Sequence, residues 1–207
     1  MMSPARRSTE ATAQLRATLV DRARTLIARE GAEALTMRRL AVEAGCAVGL
    51  TYKLFVDRRE LVAEIVHVDV GRLREASDEL LARAGTATVG ANLMWYAEVV
   101  LDSPAVALAR ELLNDEALMR SVAASADHTG FGPAAFPQII TRYLTAEQQA
   151  GRVAGQVDTD AFGFLIASTL HNLLVAGDAW PKPSRSDFRR VLDAVAATIA
   201  ALPQEER

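Results

Sequence analysis

The stretch that most constrains the fold is Thr36–Leu61, TMRRLAVEAGCAVGLTYKLFVDRREL. Apolar residues three and four positions apart predict a helix over Met37–Ala44, with Thr36 as its N-cap. Gly45 stands where a residue in the left-handed conformation commonly ends a helix. A second helix is predicted over Val48–Phe55. Two helices separated by a short turn containing glycine are typical of a helix-turn-helix unit.

Helices on both sides extend this unit. Asp57 begins a third helix, with Glu60 three residues later in the capping-box position, and the apolar pattern continues to about Leu81. Upstream, Thr12–Glu30 carries one apolar stripe and ends before Gly31. The pattern therefore predicts a three-helix head, with a long helix leaving it toward the rest of the chain.

The second helix of a helix-turn-helix unit lies in the major groove of DNA, and the side chains here suit that use. Lysine, arginine and tyrosine bind phosphate oxygens, whereas threonine and apolar side chains can contact base edges. An ordinary pair of antiparallel helices with a solvated lysine is the alternative. The residues predicted to bind DNA are Arg6, Arg7, Thr36, Val48, Leu50, Thr51, Tyr52, Lys53 and Arg58.

The residue pattern of this stretch resembles the DNA-binding domain of the TetR family of bacterial transcriptional regulators. The match rests on Ala44-Gly45, Gly49, Tyr52, Phe55, Arg58 and Leu61, in order and spacing. It covers roughly residues 12–66. The resemblance implies an all-α protein, in which a helix-turn-helix head is followed by a larger helical body that binds a small molecule and forms a homodimer.

Charge and composition agree with a head and a separate body. Residues 1–60 hold 11 Lys and Arg against 7 Asp and Glu, while the remaining residues hold 12 against 19. A basic head is what binding to the phosphate backbone requires. The single cysteine excludes an internal disulfide, and the lack of a long apolar run argues against a membrane span. We expect a cytoplasmic protein without contact to a membrane.

Three regions follow from these patterns. Residues 1–11, which include Arg6 and Arg7, are expected to form a flexible basic arm that contacts DNA or is merely solvated. Residues 12–60 are the predicted DNA-binding domain, and residues 61–207 the ligand-binding and dimerisation domain. Body helices are predicted at Val89–Leu101, Ala105–Ala124 with a break near Asn114, Phe136–Ala150, Thr159–Ala176 and Ser186–Leu202, with loops at Asp127–Phe136 and Gly177–Ser184.

The last two predicted helices each carry two apolar faces, so each requires two neighbours. Such helices, doubled by a two-fold axis, form a four-helix interface, and the resemblance implies a dimer at the same place. The alternative is that the second faces pack within one chain or meet water. The predicted interface residues are Phe164, Ser168, His171, Val175, Ala194, Ala197 and Ala201.

Large side chains with few charges among them predict an apolar ligand site between the body helices. The same residues would serve equally well as a filled core. The resemblance and the glycines of the Asp127–Phe136 loop favour a site for a hydrophobic molecule. The predicted ligand-binding residues are Asn92, Met94, Trp95, Phe131, Phe136, Tyr143, Leu170 and Leu174.

Together these patterns predict a transcriptional regulator, most simply a repressor that a hydrophobic effector releases from a palindromic operator. A regulator without an effector, switched by a protein partner, is one alternative. A small helical enzyme is the other, although no phosphate-binding glycine loop, nucleophile elbow or metal pair is present in the sequence. We therefore expect no enzyme activity, no cofactor and no bound metal.

Overall fold

The chain is helical in all the residues that the computed structural model describes, which are 4–120, 135–175 and 183–201, apart from turns and one isolated β-bridge. This confirms the predicted all-α fold class. The helices are α1 Pro4–Glu30, α2 Met37–Glu43, α3 Val48–Leu54, α4 Arg58–Ala82, α5 Val89–Leu101, α6 Pro104–Ala107, α7 Ala109–Asn114, α8 (116–120 as far as it is described), α9 Ala135–Gln149, α10 Thr159–Val175 and α11 Arg185–Ile199.

The chain divides into two compact units. The first comprises Met1–Val70 and Asp102–Ser125, and the second comprises Gly71–Leu101 and Ala126–Arg207. Helix α4 begins in the first unit and ends in the second. The functional division into residues 1–11, 12–60 and 61–207 stays a prediction.

Helix α1 begins at Pro4, eight residues before the predicted start at Thr12. Residues 4–11 are therefore helical, whereas the sequence analysis expected an irregular arm over residues 1–11. Proline suits the first turn of a helix, where its missing N–H has no intrahelical partner, and alanine, arginine and glutamate follow it. The side chains of Arg6 and Arg7 lie outside the described residues.

Helix α11 ends at Ile199, three residues before the predicted end at Leu202. Beyond it the backbone extends and pairs with the segment that follows α9, where Ala154 N–H donates to Ile199 C=O at 2.9 Å. The N–H of Ala201 donates in turn to Arg152 C=O at 3.0 Å. The helix stops because these carbonyl and amide groups bond across the chain instead of along it.

A buried carboxylate holds the first unit together. Asp69 of α4 is almost fully buried and accepts from Nε of Arg24 on α1 at 2.7 Å. Its other oxygen accepts from the hydroxyl of Ser103 at 2.9 Å and from Ala105 N–H at 2.8 Å. One carboxylate thus binds α1 and the first turn of α6 to α4, and its charge is paired with arginine, as a buried charge requires.

Two glycines allow close helix packing in the second unit. A Cβ on Gly163 of α10 would lie 2.3 Å from the hydroxyl oxygen of Thr141 on α9, and 2.9 Å from that residue's backbone nitrogen. A Cβ on Gly90 of α5 would lie 2.7 Å from a carboxylate oxygen of Asp193 on α11. The α9–α10 pair therefore depends on the missing side chain of Gly163, whereas at Gly90 only the end of the Asp193 side chain would have to move.

A buried ion pair joins two turns at one end of the second unit. Glu147 of α9 is fully buried and pairs with Arg152 at 2.6 and 2.7 Å. Its carboxylate also accepts Gly85 N–H at 3.1 Å, while Arg152 donates to the carbonyls of Thr86 and Ala87. Burial by itself would raise the pKa of Glu147, but the hydrogen bonds from its partners lower it below the ordinary value.

Replacing Glu147 with Gln is expected to lower the free energy of unfolding by about 3 kcal/mol at pH 7, because Arg152 loses its partner. The lowered pKa of Glu147 means that its contribution is complete above about pH 4.5 and is lost as the pH falls through the folded-state pKa. Urea unfolding of the wild-type protein and of Glu147→Gln, at steps of about one pH unit between pH 3 and pH 7, measures the difference in their free energies of unfolding. That difference should become smaller as the pH falls.

The matched control is Glu79→Gln. Glu79 pairs with Arg83 one helical turn away and is largely exposed. That change should cost less than about 1 kcal/mol at any pH. Equal losses in the two variants would contradict the assigned role of Glu147.

Candidate nucleic-acid interface and the body helices

The helix-turn-helix unit forms as predicted, with each helix within one residue of its expected end. The hydroxyl oxygen of Thr36 accepts Arg39 N–H at 3.1 Å and caps α2. Gly45 has φ 64°, a conformation that residues with a Cβ rarely adopt. Cys46 N–H then donates to Ala41 C=O at 2.9 Å, which closes the turn before α3.

Helix α3 turns one face into the first unit and the other to solvent. Thr51 is fully buried, as is Phe55 just after the helix. Val48 is 37% exposed and Tyr52 is 55% exposed, and Gly49 and Lys53 are also exposed. The outward face of α3 therefore consists of Val48, Gly49, Tyr52 and Lys53, which we call the α3 face.

The prediction that Thr51 contacts a base edge is wrong. Its hydroxyl donates to the backbone C=O of Val48 at 2.7 Å, and no part of the side chain reaches solvent. Thr51 lies on the inner side of α3, where its methyl group packs and its hydroxyl is satisfied locally. It supports the helix from inside the unit.

The prediction that Arg58 binds a phosphate is also corrected. Its Nε donates to Leu35 C=O at 2.6 Å, and its guanidinium pairs with Glu111 of α7 and donates to Ala32 C=O. These carbonyls lie in the segment between α1 and α2, where the Ala32 carbonyl also accepts Leu35 N–H at 3.1 Å. These contacts engage the Arg58 guanidinium within the first unit, while 32% of the side chain stays exposed.

The other predicted DNA-binding side chains keep access to solvent. Thr36 is exposed and Leu50 is half-buried. In the part of the chain that the structure describes, neither Tyr52 nor Lys53 forms a hydrogen bond or an ion pair.

Sequence reasoning missed Arg38, which is exposed on α2 without a described partner, whereas its neighbour Arg39 pairs with Glu30 at 2.9 Å. Its place outside the apolar face of Met37, Leu40 and Ala41 on the α2 wheel was the signal available.

Arg16 of α1 fixes the end of α3. Its guanidinium lies 4.3 Å from the centre of the Phe55 ring and donates to Leu54 C=O at 2.5 Å. The same group pairs with Glu60 at 2.7 Å and Glu64 at 3.0 Å on α4. The pKa of Glu60 is lowered because it accepts Val56 N–H and pairs with Arg16. One cation therefore binds α1 to α3 and to α4.

The predicted ligand-binding residues are mostly interior. Asn92, Met94, Tyr143 and Leu170 are buried, whereas Trp95, Phe136 and Leu174 are half-buried, and Phe131 lies outside the described residues. The Arg83 guanidinium lies 3.9 Å from the Trp95 ring centre. The Tyr143 hydroxyl has no hydrogen-bond partner within the described residues, although Glu147 and Asn92 approach it. Burial and the charge of Glu147 raise the pKa of Tyr143, so the hydroxyl keeps its proton.

A cleft of about 420 Å³ on α9 and α10 combines residues from two predicted sets. Only Phe136 comes from the predicted ligand site, while Phe164, Ser168 and His171 come from the predicted dimer interface. The other predicted ligand residues do not line it. A second cleft of about 440 Å³ includes Ala197 of the dimer set.

The predicted dimer residues are accessible along α10 and α11. Phe164 is 64% exposed, Ser168 is half-buried, and His171, Ala194 and Ala197 are exposed. The prediction that Ala201 lies on the interface face of the last helix is corrected. Ala201 lies past the end of α11, and its backbone N–H donates to Arg152 C=O. The side chain of Val175 lies outside the described residues. Leu165 and Val191, which are 51% and 42% exposed, were not among the predicted interface residues.

Comparison with known proteins agrees with this geometry. Residues 19–65 match the sequence profile of the bacterial regulatory proteins of the tetR family. That range contains α2, α3 and the start of α4. No curated protein sequence matches the chain.

Solved structures of the same fold cover nearly the whole chain. A TetR-family transcriptional regulator from Agrobacterium tumefaciens aligns with a TM-score of 0.65 at 18% identity, over 92% of this chain and 100% of that one. A transcriptional regulator from Saccharomonospora viridis, solved in complex with choline, aligns with a TM-score of 0.61 at 18% identity, over 92% of this chain and 99% of that one. The fatty acid degradation regulator FadR from Bacillus halodurans aligns with a TM-score of 0.52 at 17% identity, over 92% of this chain and 97% of that one.

These matches show a tetR-family DNA-binding domain with a helix-turn-helix unit over residues 19–65, in a chain that shares the all-helical fold of the solved structures. The resemblance to the TetR family is confirmed, since the chain carries that family's DNA-binding domain on the fold of its regulators. None of the described helices is long and apolar enough to cross a membrane. The described residues contain no group of three or more His, Cys, Asp or Glu placed to hold a metal ion.

Replacing Lys53 with Ala is expected to weaken binding to every DNA sequence alike and to reduce the salt slope of binding by about one unit, because one phosphate contact is lost. Fluorescence anisotropy with specific and random duplexes over a salt series measures both effects. Arg74→Ala is the charge-matched control, since Arg74 is exposed on α4 in the second unit.

Thr51→Ala supplies the contrast within α3. It should lower stability slightly and leave sequence preference unchanged, because the Thr51 side chain is buried. A changed base preference in Thr51→Ala, or an unchanged salt slope in Lys53→Ala, would contradict the assigned α3 face.

Proposed function

We propose that the protein is a homodimeric repressor that binds a palindromic operator through one α3 face from each protomer and is released by a hydrophobic small molecule. The observation that carries the DNA-binding part is the outward exposure of Tyr52 and Lys53 beside Val48 and Gly49 on the second helix of a helix-turn-helix unit. In this arrangement the second helix enters the major groove and its flanks bind phosphates.

The cations around α3 support the same assignment. Lys53 and Arg38 have no partner among the described residues, so binding a phosphate would break no existing ion pair. Arg39 and Arg58, in contrast, are already held by Glu30 and Glu111. Contact with the DNA backbone is therefore assigned to Lys53 and Arg38, together with the Tyr52 hydroxyl.

A homodimer is supported by apolar side chains that one chain leaves uncovered. Phe164 and Leu165 of α10 and Val191 of α11 are large and exposed. Small residues, Ala194 and Ala197, share the exposed side of α11 and would allow a partner helix to approach closely. Two-fold pairing buries such a face against itself, and two DNA-binding units then meet half-sites one helical turn apart.

Replacing Phe164 with Glu is expected to convert the protein to monomers and to weaken operator binding by at least about tenfold, since one half-site contact is lost on dissociation. Phe164 is already exposed in the single chain, so the fold should persist. Sedimentation velocity at micromolar concentration and circular dichroism measure the two properties.

Ala91→Glu is the control for added charge, because Ala91 is exposed in the first turn of α5, where a carboxylate is favourable. Dimers in both variants would contradict the proposed interface. A monomeric wild-type protein would contradict the dimer itself.

The effector proposal rests on the composition of the second unit's interior. Met94 and Leu170 are buried there together with Tyr143, whose hydroxyl has no described partner and keeps its proton. An apolar ligand with one hydrogen-bond acceptor would satisfy that hydroxyl. The repressor would respond by a population shift, in which the ligand binds better to the conformation that does not bind DNA.

A screen of neutral, mainly apolar compounds against the protein–operator complex is expected to find ones that release the DNA. Tyr143→Phe should reduce the response to those compounds about fivefold or more, because a hydrogen bond to the ligand is lost, without weakening operator binding. Glu79→Gln is a control outside this region. Release by highly charged metabolites alone, with Trp95 and Tyr143 variants unchanged, would contradict the proposal.

The two other functions have distinct outcomes in the same assays. A regulator switched by a protein partner would bind its operator and respond to no compound. An enzyme would show no salt-sensitive preference for any genomic fragment, which would contradict the central proposal.

A further inference from the structure

We propose that α3 selects its operator chiefly by apolar contact with the 5-methyl groups of thymines, with Val48 as the specificity-determining side chain. This inference rests on the proposed function, since it requires α3 to lie in the major groove. It concerns how bases are distinguished, which the assignment of a helix-turn-helix unit leaves open.

The residues in position to contact base edges lack polar side chains. In helix-turn-helix proteins the N-terminal residues of the recognition helix reach the bases. Here those residues are Val48, Gly49 and Leu50. The next residue, Thr51, is buried and its hydroxyl is bound to Val48 C=O at 2.7 Å. The first turn of α3 therefore offers DNA no side-chain hydrogen bond.

The polar side chains of α3 come later in the helix. Tyr52 lies one turn after Val48 on the same face, and Lys53 lies next to the last residue of α3. Both lack partners among the described residues, and both side chains are long enough to reach the phosphates that flank the groove. Hydrogen bonding from these two residues would position α3 without distinguishing most base pairs.

Thymine is the base whose major-groove edge carries an apolar group, its 5-methyl. The Val48 side chain is 37% exposed and supplies two methyl groups to contact it. Gly49 assists by its lack of a side chain. A Cβ built on Gly49 would meet nothing within 4 Å, so the fold does not require glycine there, and the free space is available to a base pair.

The test begins with selection of preferred sites from a random duplex library by the full-length protein. Each thymine of the selected half-site is then replaced singly with deoxyuridine, which removes only the 5-methyl group. We expect one or two positions at which this change weakens binding about fourfold, the effect of burying a single methyl group. Deoxyuridine in the flanking sequence should have no effect.

Variants of Val48 assign that effect to a residue. Val48→Ala should bind the thymine and deoxyuridine duplexes with nearly equal affinity at one of the sensitive positions. Val48→Ile, which keeps a branched side chain, should retain the difference. Tyr52→Phe should weaken binding to both duplexes alike and leave the difference intact.

Two outcomes would overturn the inference while leaving the proposed function in place. One is a strongly preferred site that is insensitive to deoxyuridine at every position. The other is a preference for guanine that Lys53→Ala abolishes, which would show hydrogen-bond recognition by Lys53. Failure of the proposed function is distinguishable, because the selection would then yield no preferred sequence.

Discussion

The orientation of the recognition helix depends on Arg16. Helix α3 has seven residues, too few to be stable alone in water, so its neighbours must hold it. Arg16 contacts the ring of Phe55, a carbonyl at the helix end, and two carboxylates of α4. A cation at a helix C-terminus also complements the helix dipole. The α3 face turns outward because this contact and buried Phe55 turn the opposite face inward.

Ion pairs have different tasks in the two units. In the first unit Arg24, Arg58 and Arg16 bind segments far apart in sequence, so arginine serves both as structural support and as a source of positive charge. Lys53 and Arg38, in contrast, have no partner among the described residues. In the second unit the Glu147–Arg152 pair joins turns at one end of the helices. Tyr143, one turn before Glu147, has a buried hydroxyl without a hydrogen-bond partner among the described residues.

Exposed apolar groups support two different contacts in the proposed function. On α3 Val48 is small and stands beside a glycine, which suits contact with single methyl groups. On α10 Phe164 and Leu165 are large and adjacent, which suits burial against a second protein surface. Side-chain size separates a base-contacting surface from a protein-contacting one even where both are apolar.

The sequence by itself determined the helix-turn-helix unit, the all-α fold and the apolar character of α10 and α11, because helical periodicity, Thr36 and Gly45 act locally. Only the tertiary structure decided that Thr51 faces inward while Tyr52 faces outward. A short helix with apolar residues on several sides can turn more than one face inward, and the contacts of Arg16 and Phe55 select among them. In the same way Arg58 is directed by carbonyls and a carboxylate from distant segments, and α11 ends where its backbone bonds to the turn after α9. Such long-range contacts produce no periodic pattern of residues in the sequence.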